Sequence, residues 1–369
     1  MERKSLSSID LGFLARELKI LEGAKVDAIF QYESIVYIQF HVTNIGKKIL
    51  KFSLPNFAFI TEARAEKEKK QSAFSTILKK HLLNSRLTSI KQHENERILV
   101  MSLESKEQKF NLMAELFSQG NLILCDEKNQ IIGCLTTKKW AQREVISGTE
   151  YNFPDSKNPF DLTLNETEKI FLGSEKESLV KSIAIDLGLG GLYAEEICIR
   201  ANLSKGKKPN EISKNDVKSV HEQLQLLKKS KARPILIYES GKVADISPVK
   251  MEYYKNMRIE EQESFSNAIE TFLKMYRPKK INKYEKEIEK LMNIIEAQEK
   301  QSGKINEEVE DNRKKGDLIY EKYSVVNDIL STLKKAREKH SWKEIKEKLK
   351  GHKVVKSVDE KEGKIVIEL

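Results

Sequence analysis

Apolar residues fall every three to four positions at Ile9, Phe13, Leu14, Leu18 and Leu21, which predicts an amphipathic helix capped by Ser7 or Ser8 and ended at Gly23. The period then drops to two. Strands are predicted at 25–31, 35–41, 47–54 and 57–61, so the chain opens as a helix followed by a meander. The same order returns after the charged run 62–70, with a helical stripe at Phe74, Ile77, Leu78 and Leu82 ahead of further alternation. Shifting the sequence by 61 positions aligns Leu21 with Leu82, Lys25 with Arg86, Val26 with Leu87, Ile29 with Ile90, Gln31 with Gln92 and Glu33 with Glu94. Two helix-plus-strands halves predict an α+β domain, β-sandwich-like, with helices at its edge.

The polar face of the second helix carries Lys79, Lys80 and His81. After a turn at His93-Glu94 the next strand is predicted to start at Asn95-Glu96-Arg97, which places Arg97 at a hairpin end near solvent. A guanidinium there suits phosphate or a stacked base; the plainer reading pairs it with Glu94 or Glu96. Strands at 121–126 and 131–135 lead to Lys138-Lys139-Trp140-Ala141-Gln142-Arg143, a basic cluster whose Trp140 either stacks on a base or folds onto its own domain.

An apolar helix through Leu179, Val180, Ile183 and Leu187 ends in Gly188, Gly190 and Gly191, before Ala194 and Ile197 begin a second helix. This reads as a helix-hairpin-helix. Without a Cβ in the way, its amides can approach RNA phosphates; alternatively it is a tight corner between packed helices. Ser213 to Asp216 predicts a capping box for a helix burying Val217, Val220, Leu224 and Leu227. A hairpin at 234–246 then predicts a return to the first sheet, making the helical module an insertion. From 279 a heptad seam (Ile281, Tyr284, Ile288, Leu291, Ile295, Ile305, Val309) predicts a long charged coiled-coil arm, continued through Ile319, Tyr323, Val326, Leu330 and Leu333. A short helix at 341–349 and a hairpin at 354–369 close the chain. The expected domains are 1–172, the helical module 173–232, the returning strands 233–278 and the arm 279–369.

Composition narrows the function. The 369 residues carry a formal charge of +10, with 39% hydrophobic and 33% charged residues, a bias that favours a phosphate-bearing partner. Three scattered cysteines, Cys125, Cys134 and Cys198, suit a reducing cytoplasmic location and not a zinc site. No run is long enough to cross a bilayer, so no membrane partner is expected. The six histidines are dispersed and no phosphate-binding loop, zinc-protease or nucleophile-elbow motif occurs. No metal, cofactor or catalysis is expected.

Lys80-His81-Leu82, Arg86-Leu87, Gln92, Glu96-Arg97-Ile98 and Glu115-Leu116-Phe117, with Gly120-Asn121-Leu122-Ile123-Leu124-Cys125-Asp126, resemble the NFACT family of ribosome-associated quality-control factors. Arg143, Gly148, Tyr151 and Pro154, and the phrase Glu263-Ser264-Phe265-Ser266-Asn267-Ala268-Ile269, extend the resemblance. In that family the dipeptide aligned with Glu96-Arg97 is usually Asp-Arg and is tied to tRNA engagement; here the carboxylate sits one methylene further out. The resemblance implies an N-terminal fold similar to formamidopyrimidine-type DNA glycosylases, whose early proline is missing from Met1-Glu2-Arg3. It also implies binding to a stalled large ribosomal subunit and to tRNA, alanyl-tRNA among them, in support of untemplated C-terminal tailing of the nascent chain. Glu96 and Arg97 are the first candidate tRNA contacts, Lys79, Lys80, Arg86 and Arg143 their electrostatic support, and Gly188, Gly190 and Gly191 a second RNA surface. The arm would grip ribosomal RNA or protein. Family members usually continue into a returning helix and a C-terminal NFACT-R domain, so this sequence is expected to be a shortened or split form. The alternatives are a glycosylase-like nucleic-acid-binding protein and a coiled-coil protein that binds extracellular matrix.

Overall fold

Ser7 caps helix α1 (Ser8–Leu18) in a reciprocal capping box with Asp10, and a 3₁₀ turn carries the helix on to Leu21. In the computed structural model, residues 3–63, 72–106, 108–139, 143–154, 156, 158–275, 283–350, 354–359 and 363–368 are described, with only some side chains of 283–307. They fall into two compact units, Met1–Arg277 and Pro278–Leu369. Strands β1 (Lys25–Tyr32), β2 (Ile35–Val42), β3 (Gly46–Ser53) and β4 (Phe57–Thr61) form one antiparallel meander. Helix α2 (Ala73–Leu82) precedes the second, made of β5 (Arg86–Gln92), β6 (Ile98–Glu104), β7 (Lys109–Glu115), β8 (Asn121–Asp126) and β9 (Ile131–Cys134).

The two meanders are not separate sheets. They join through β1 and β5 into one nine-stranded sheet of order β4-β3-β2-β1-β5-β6-β7-β8-β9. The junction repeats itself at the 61-residue offset. Val26 N–H donates to Ser85 O and Leu87 N–H to Ala24 O, both at 2.9 Å, and Gly23 N–H to Leu87 O as Asn84 N–H to Val26 O. Gly23 and Asn84 share a left-handed backbone, as do Glu33 and Glu94, and both strands bulge at the same place, Val26/Ala28 and Leu87/Ser89. Equal turn geometry at equivalent positions is what a duplicated unit produces.

Leu11, Leu14 and Leu18 of α1, the inward faces of both meanders, and Phe74, Leu78 and Leu82 of α2 share one core. Ile9 and Phe13, on another side of α1, belong to a second core. That core is built by α3 (Leu164–Leu172), α4 (Leu179–Ile185), α5 (Gly191–Arg200) and α6 (Lys214–Lys229). Ser213 and Asp216 make the expected capping box of α6, which buries Val217, Val220, Leu224 and Leu227. Ile98, Val100, Met113 and Cys125 pack under Tyr151 on the other face of the second meander, which explains the unbroken apolar run of β6.

The predicted return to the first sheet does not occur. Strands β10 (Ile235–Glu239), β11 (Lys242–Ser247) and β12 (Arg258–Glu261) form their own three-stranded sheet. The β4 edge of the large sheet is covered by helix α7 (Phe265–Met275), whose Ser266 hydroxyl accepts from Ile60 N–H at 3.0 Å. The apolar alternation of β10 serves two cores instead, with Leu236 in the sheet core and Ile235 and Ile237 in the helical one.

In the second unit α8 (Lys283–Glu321) is a helix of 39 residues, about 58 Å long at the usual rise. Lys322 leaves helical geometry, so the heptad register is interrupted before α9 (Tyr323–Arg337). Helix α10 (Trp342–Lys348) and the hairpin β13 (Val355–Asp359) and β14 (Lys364–Ile367) complete the unit around Val326, Ile345, Val355 and Val358. Of the seam, Leu291, Ile305, Val309, Ile319, Tyr323 and Leu330 are exposed. Ile281, the boundary at 277–278, the charged run from 64 to 70, and Trp140 with its two successors lie wholly or partly outside the described residues.

Candidate nucleic-acid interface

Residues 93–97 form a turn, and β6 starts at Ile98, three residues later than the expected start at Asn95. The turn is closed from within. Gln92 Nε2 donates to Glu96 O at 2.8 Å and to Ser8 O of α1 at 2.7 Å, and Glu94 takes a positive φ. His93 stacks on Phe153 with ring centroids 3.9 Å apart, and burial lowers its pKa below the ordinary imidazole value. Asn95, buried, reaches across to the helical module and donates to Gly188 O at 3.2 Å.

Arg97 does not project freely into solvent, because the N-terminal segment packs against it. Its Nη1 donates to Ser5 Oγ at 3.1 Å and to Leu6 O at 3.4 Å. Burial lowers its pKa and nearby Glu96 partly opposes this, yet a guanidinium stays protonated throughout the physiological range. The described part-buried arginines divide sharply. Arg3 pairs with Asp10 and Asp245, Arg143 with Glu115, and Arg200 with Glu196, whereas Arg97 has no carboxylate within ion-pair distance. A partly desolvated cation with no carboxylate in direct contact is costly unless an anion completes it.

Helix α4 ends in the glycine turn. Gly188 and Gly190 have φ of 68° and 76°, and α5 begins at Gly191 with no side-chain cap. Arg97, Glu96, Asn95, Gly188 and Gly190 line one cleft of about 400 Å³ with Ser5 and Ser7. Two of the surfaces proposed separately from sequence are therefore one. Gly191 lines the adjoining cavity of about 200 Å³, which shares Ser5, Ser7, Leu189 and Gly190 with the cleft and is walled by Tyr253, Tyr254 and Asp245.

The remaining candidates are elsewhere. Arg86 is exposed at the far end of β5, about 20 Å from the turn by strand rise, and donates to Gly23 O. Lys79 and Lys80 lie in the last turn of α2. Arg143 is nearer the turn but engaged, donating to Glu115 Oε1 at 2.5 Å beside the Tyr151 hydroxyl. Sequence reasoning missed Arg3 and Asn95. The capping box Ser7-x-x-Asp10 was visible, but nothing in the order of residues joins Arg3 to Asp245. Among the described residues, no cluster of His, Cys, Asp or Glu suits a metal, and no helix is long and apolar enough to cross a membrane.

The large antiparallel sheet with its helices resembles the N-terminal part of the fibronectin/fibrinogen-binding protein from Streptococcus suis, with a TM-score of 0.60 at 21% identity over 73% of this chain and 99% of that one. The fibrinogen-binding protein from Staphylococcus aureus is similar, with a TM-score of 0.59 at 20% identity over 72% of this chain and 98% of that one. In sequence the chain is 28% identical to the archaeal Rqc2 homolog aRqcH of Methanocaldococcus jannaschii, over all of this chain and 58% of that protein. It is 24% identical to the ribosome quality control complex subunit NEMF of Homo sapiens, over 93% of this chain and 35% of the human protein. The chain thus spans little more than half of the archaeal relative. The family model of the NFACT N-terminal and middle domains matches residues 7–365, and the chain belongs to the NFACT family.

Proposed function

We propose that the protein is a ribosome-associated quality-control factor that engages tRNA through the Arg97 cleft and supports tailing of nascent chains on the stalled large subunit. The single observation that carries the tRNA contact is the part-buried Arg97 without a carboxylate, placed beside the glycine turn. Its guanidinium offers charge-assisted donors to a phosphate or a base edge, and uncapped amides at the start of α5 add a positive end. The human relative named as a ribosome quality control complex subunit and the archaeal Rqc2 homolog support the wider role. Peptide-bond chemistry would belong to the ribosome, with this chain placing substrates. In this reading Lys79, Lys80 and Arg86 are outlying electrostatic support and Arg143 shapes the sheet end behind the turn. The helix pair α4–α5 acts as a helix-hairpin-helix, and α8 is a coiled-coil arm that contacts ribosomal RNA or protein.

The test is tRNA affinity across ionic strength for the wild-type chain and Arg97→Ala. Loss of a charge-assisted contact is expected to weaken binding about tenfold or more and to flatten the salt dependence by about one phosphate contact. Unchanged affinity and slope would remove the cleft from the account.

A further inference from the structure

We infer that Arg3 is a positioning residue for Arg97, acting through the strap of residues 3–7; this deepens the proposed reading of the cleft and rests on it. Arg3 is almost wholly buried, with 6% of its side chain exposed, and its guanidinium bridges two carboxylates from distant parts of the chain. Nη1 meets Asp10 Oδ2 of α1 at 2.5 Å, and Nε meets Asp245 of β11. Asp10 also accepts from Ser7 N–H at 2.8 Å and from the Tyr193 hydroxyl of α5 at 2.8 Å, while the Tyr254 hydroxyl donates to Asp245. Both phenols are held protonated by burial and by the carboxylates they face. One side chain thus ties the N-terminal strap to α1 and the three-stranded sheet and, through Asp10, to the glycine-turn helix.

Two residues of the same strap, Ser5 and Leu6, hold Arg97. Ser5 Oγ and Leu6 O accept both hydrogen bonds of its Nη1, and Leu6 is itself fixed by burial and by its N–H donating to Asn56 O at 3.0 Å. A stretch outside any helix or strand is ordered only where something ties it down. Arg3 supplies the tie on one side of Ser5 and Leu6 supplies it on the other. With the tie intact, Nη1 is occupied and Arg97 is held as part of the cleft wall. When it is broken, Arg97 keeps its charge and loses that hold.

A double-mutant cycle on tRNA affinity tests this, with Arg97→Ala, Arg3→Lys and the pair made in the full chain. Lysine keeps the buried positive charge between Asp10 and Asp245 but cannot reproduce the fork that spans them. Arg3→Lys alone is expected to weaken binding about fivefold, and in the Arg97→Ala background by less than about twofold. Ser5→Ala, which leaves the ion pairs untouched, is expected to show the same dependence on Arg97 and guards against a folding defect in the lysine variant. Equal losses in both backgrounds would overturn the inference while leaving the cleft reading intact. An Arg97→Ala variant that binds like wild type would overturn both.

Discussion

Gly190 and Gly191 are adjacent, both border the cavities beside Arg97, and adding the same methyl group to each is expected to change stability in opposite directions. Gly190 has φ 76° and ψ 164°, a backbone region that only glycine occupies readily. Forcing alanine into it costs about 1–3 kcal/mol. No steric cost adds to this, since a Cβ at either position meets no atom within 4 Å. Gly191 already lies in the first turn of α5, where alanine reduces the freedom of the unfolded chain and stabilises by about 0.4–1 kcal/mol. The two variants should differ by about 1.4–4 kcal/mol in urea unfolding at an unchanged m-value, with Gly190→Ala below wild type and Gly191→Ala at or above it. tRNA affinity should fall in Gly191→Ala despite its full stability, because the methyl group enters the space beside the α5 amides. Two variants that move together, or a Gly190→Ala indistinguishable from wild type, would refute the backbone argument.

Two further expectations follow from buried groups. Glu115→Ala removes the acceptor that the Arg143 guanidinium and the Tyr151 hydroxyl share, and should cost about 3 kcal/mol in denaturant unfolding, since removing one partner of a buried ion pair is strongly destabilising; a loss under about 1 kcal/mol would mean that water replaces the carboxylate. Burial pushes the Cys125 thiol up to about 12 and the Cys198 thiol to about 11 from the ordinary 9.0. The folded state then holds protons that the unfolded state releases, so these thiols leave stability flat below pH 8 and lower it as pH rises from 9 toward 11. Unfolding measured from pH 7 to 10.5, with Cys125→Ala and Cys198→Ala as references, checks the sign, and a slope that ignores both substitutions contradicts it.

Much of the architecture was legible because it is periodic. The stripe of α1, the meanders and the capping box of α6 follow from spacing alone, and the 61-residue offset appears in the structure down to paired left-handed residues. Helix α3 was equally visible in Thr163-x-x-Glu166, yet the sequence reading passed over it. What alternation does not reveal is the partner. Ile235-Leu236-Ile237 announces a strand buried on both faces, but nothing in it shows that it lies between two cores while α7 covers the β4 edge. The turn at 93–97 misled for a local reason: Gln92 folds back on Glu96, so the polar residues extend the turn instead of starting a strand.

The candidate site was half legible. Glu96-Arg97 and the glycines could each be singled out from their residue types, but their convergence rests on contacts such as Asn95 to Gly188, 93 residues apart in sequence. The strap was illegible altogether. Arg3 and Asp245 are 242 positions apart, and nothing about either residue type signals the other.

The central claim is that RNA occupies the cleft between the 93–97 turn and the α4–α5 glycines. Its most direct test is photocrosslinking of thiouridine-substituted tRNA to the full chain, with the linked peptides mapped by mass spectrometry. Crosslinks on residues 93–97 and 188–191 that disappear in Arg97→Ala are the result expected. Efficient crosslinking confined to other surfaces, with both of those segments unmodified, would contradict it.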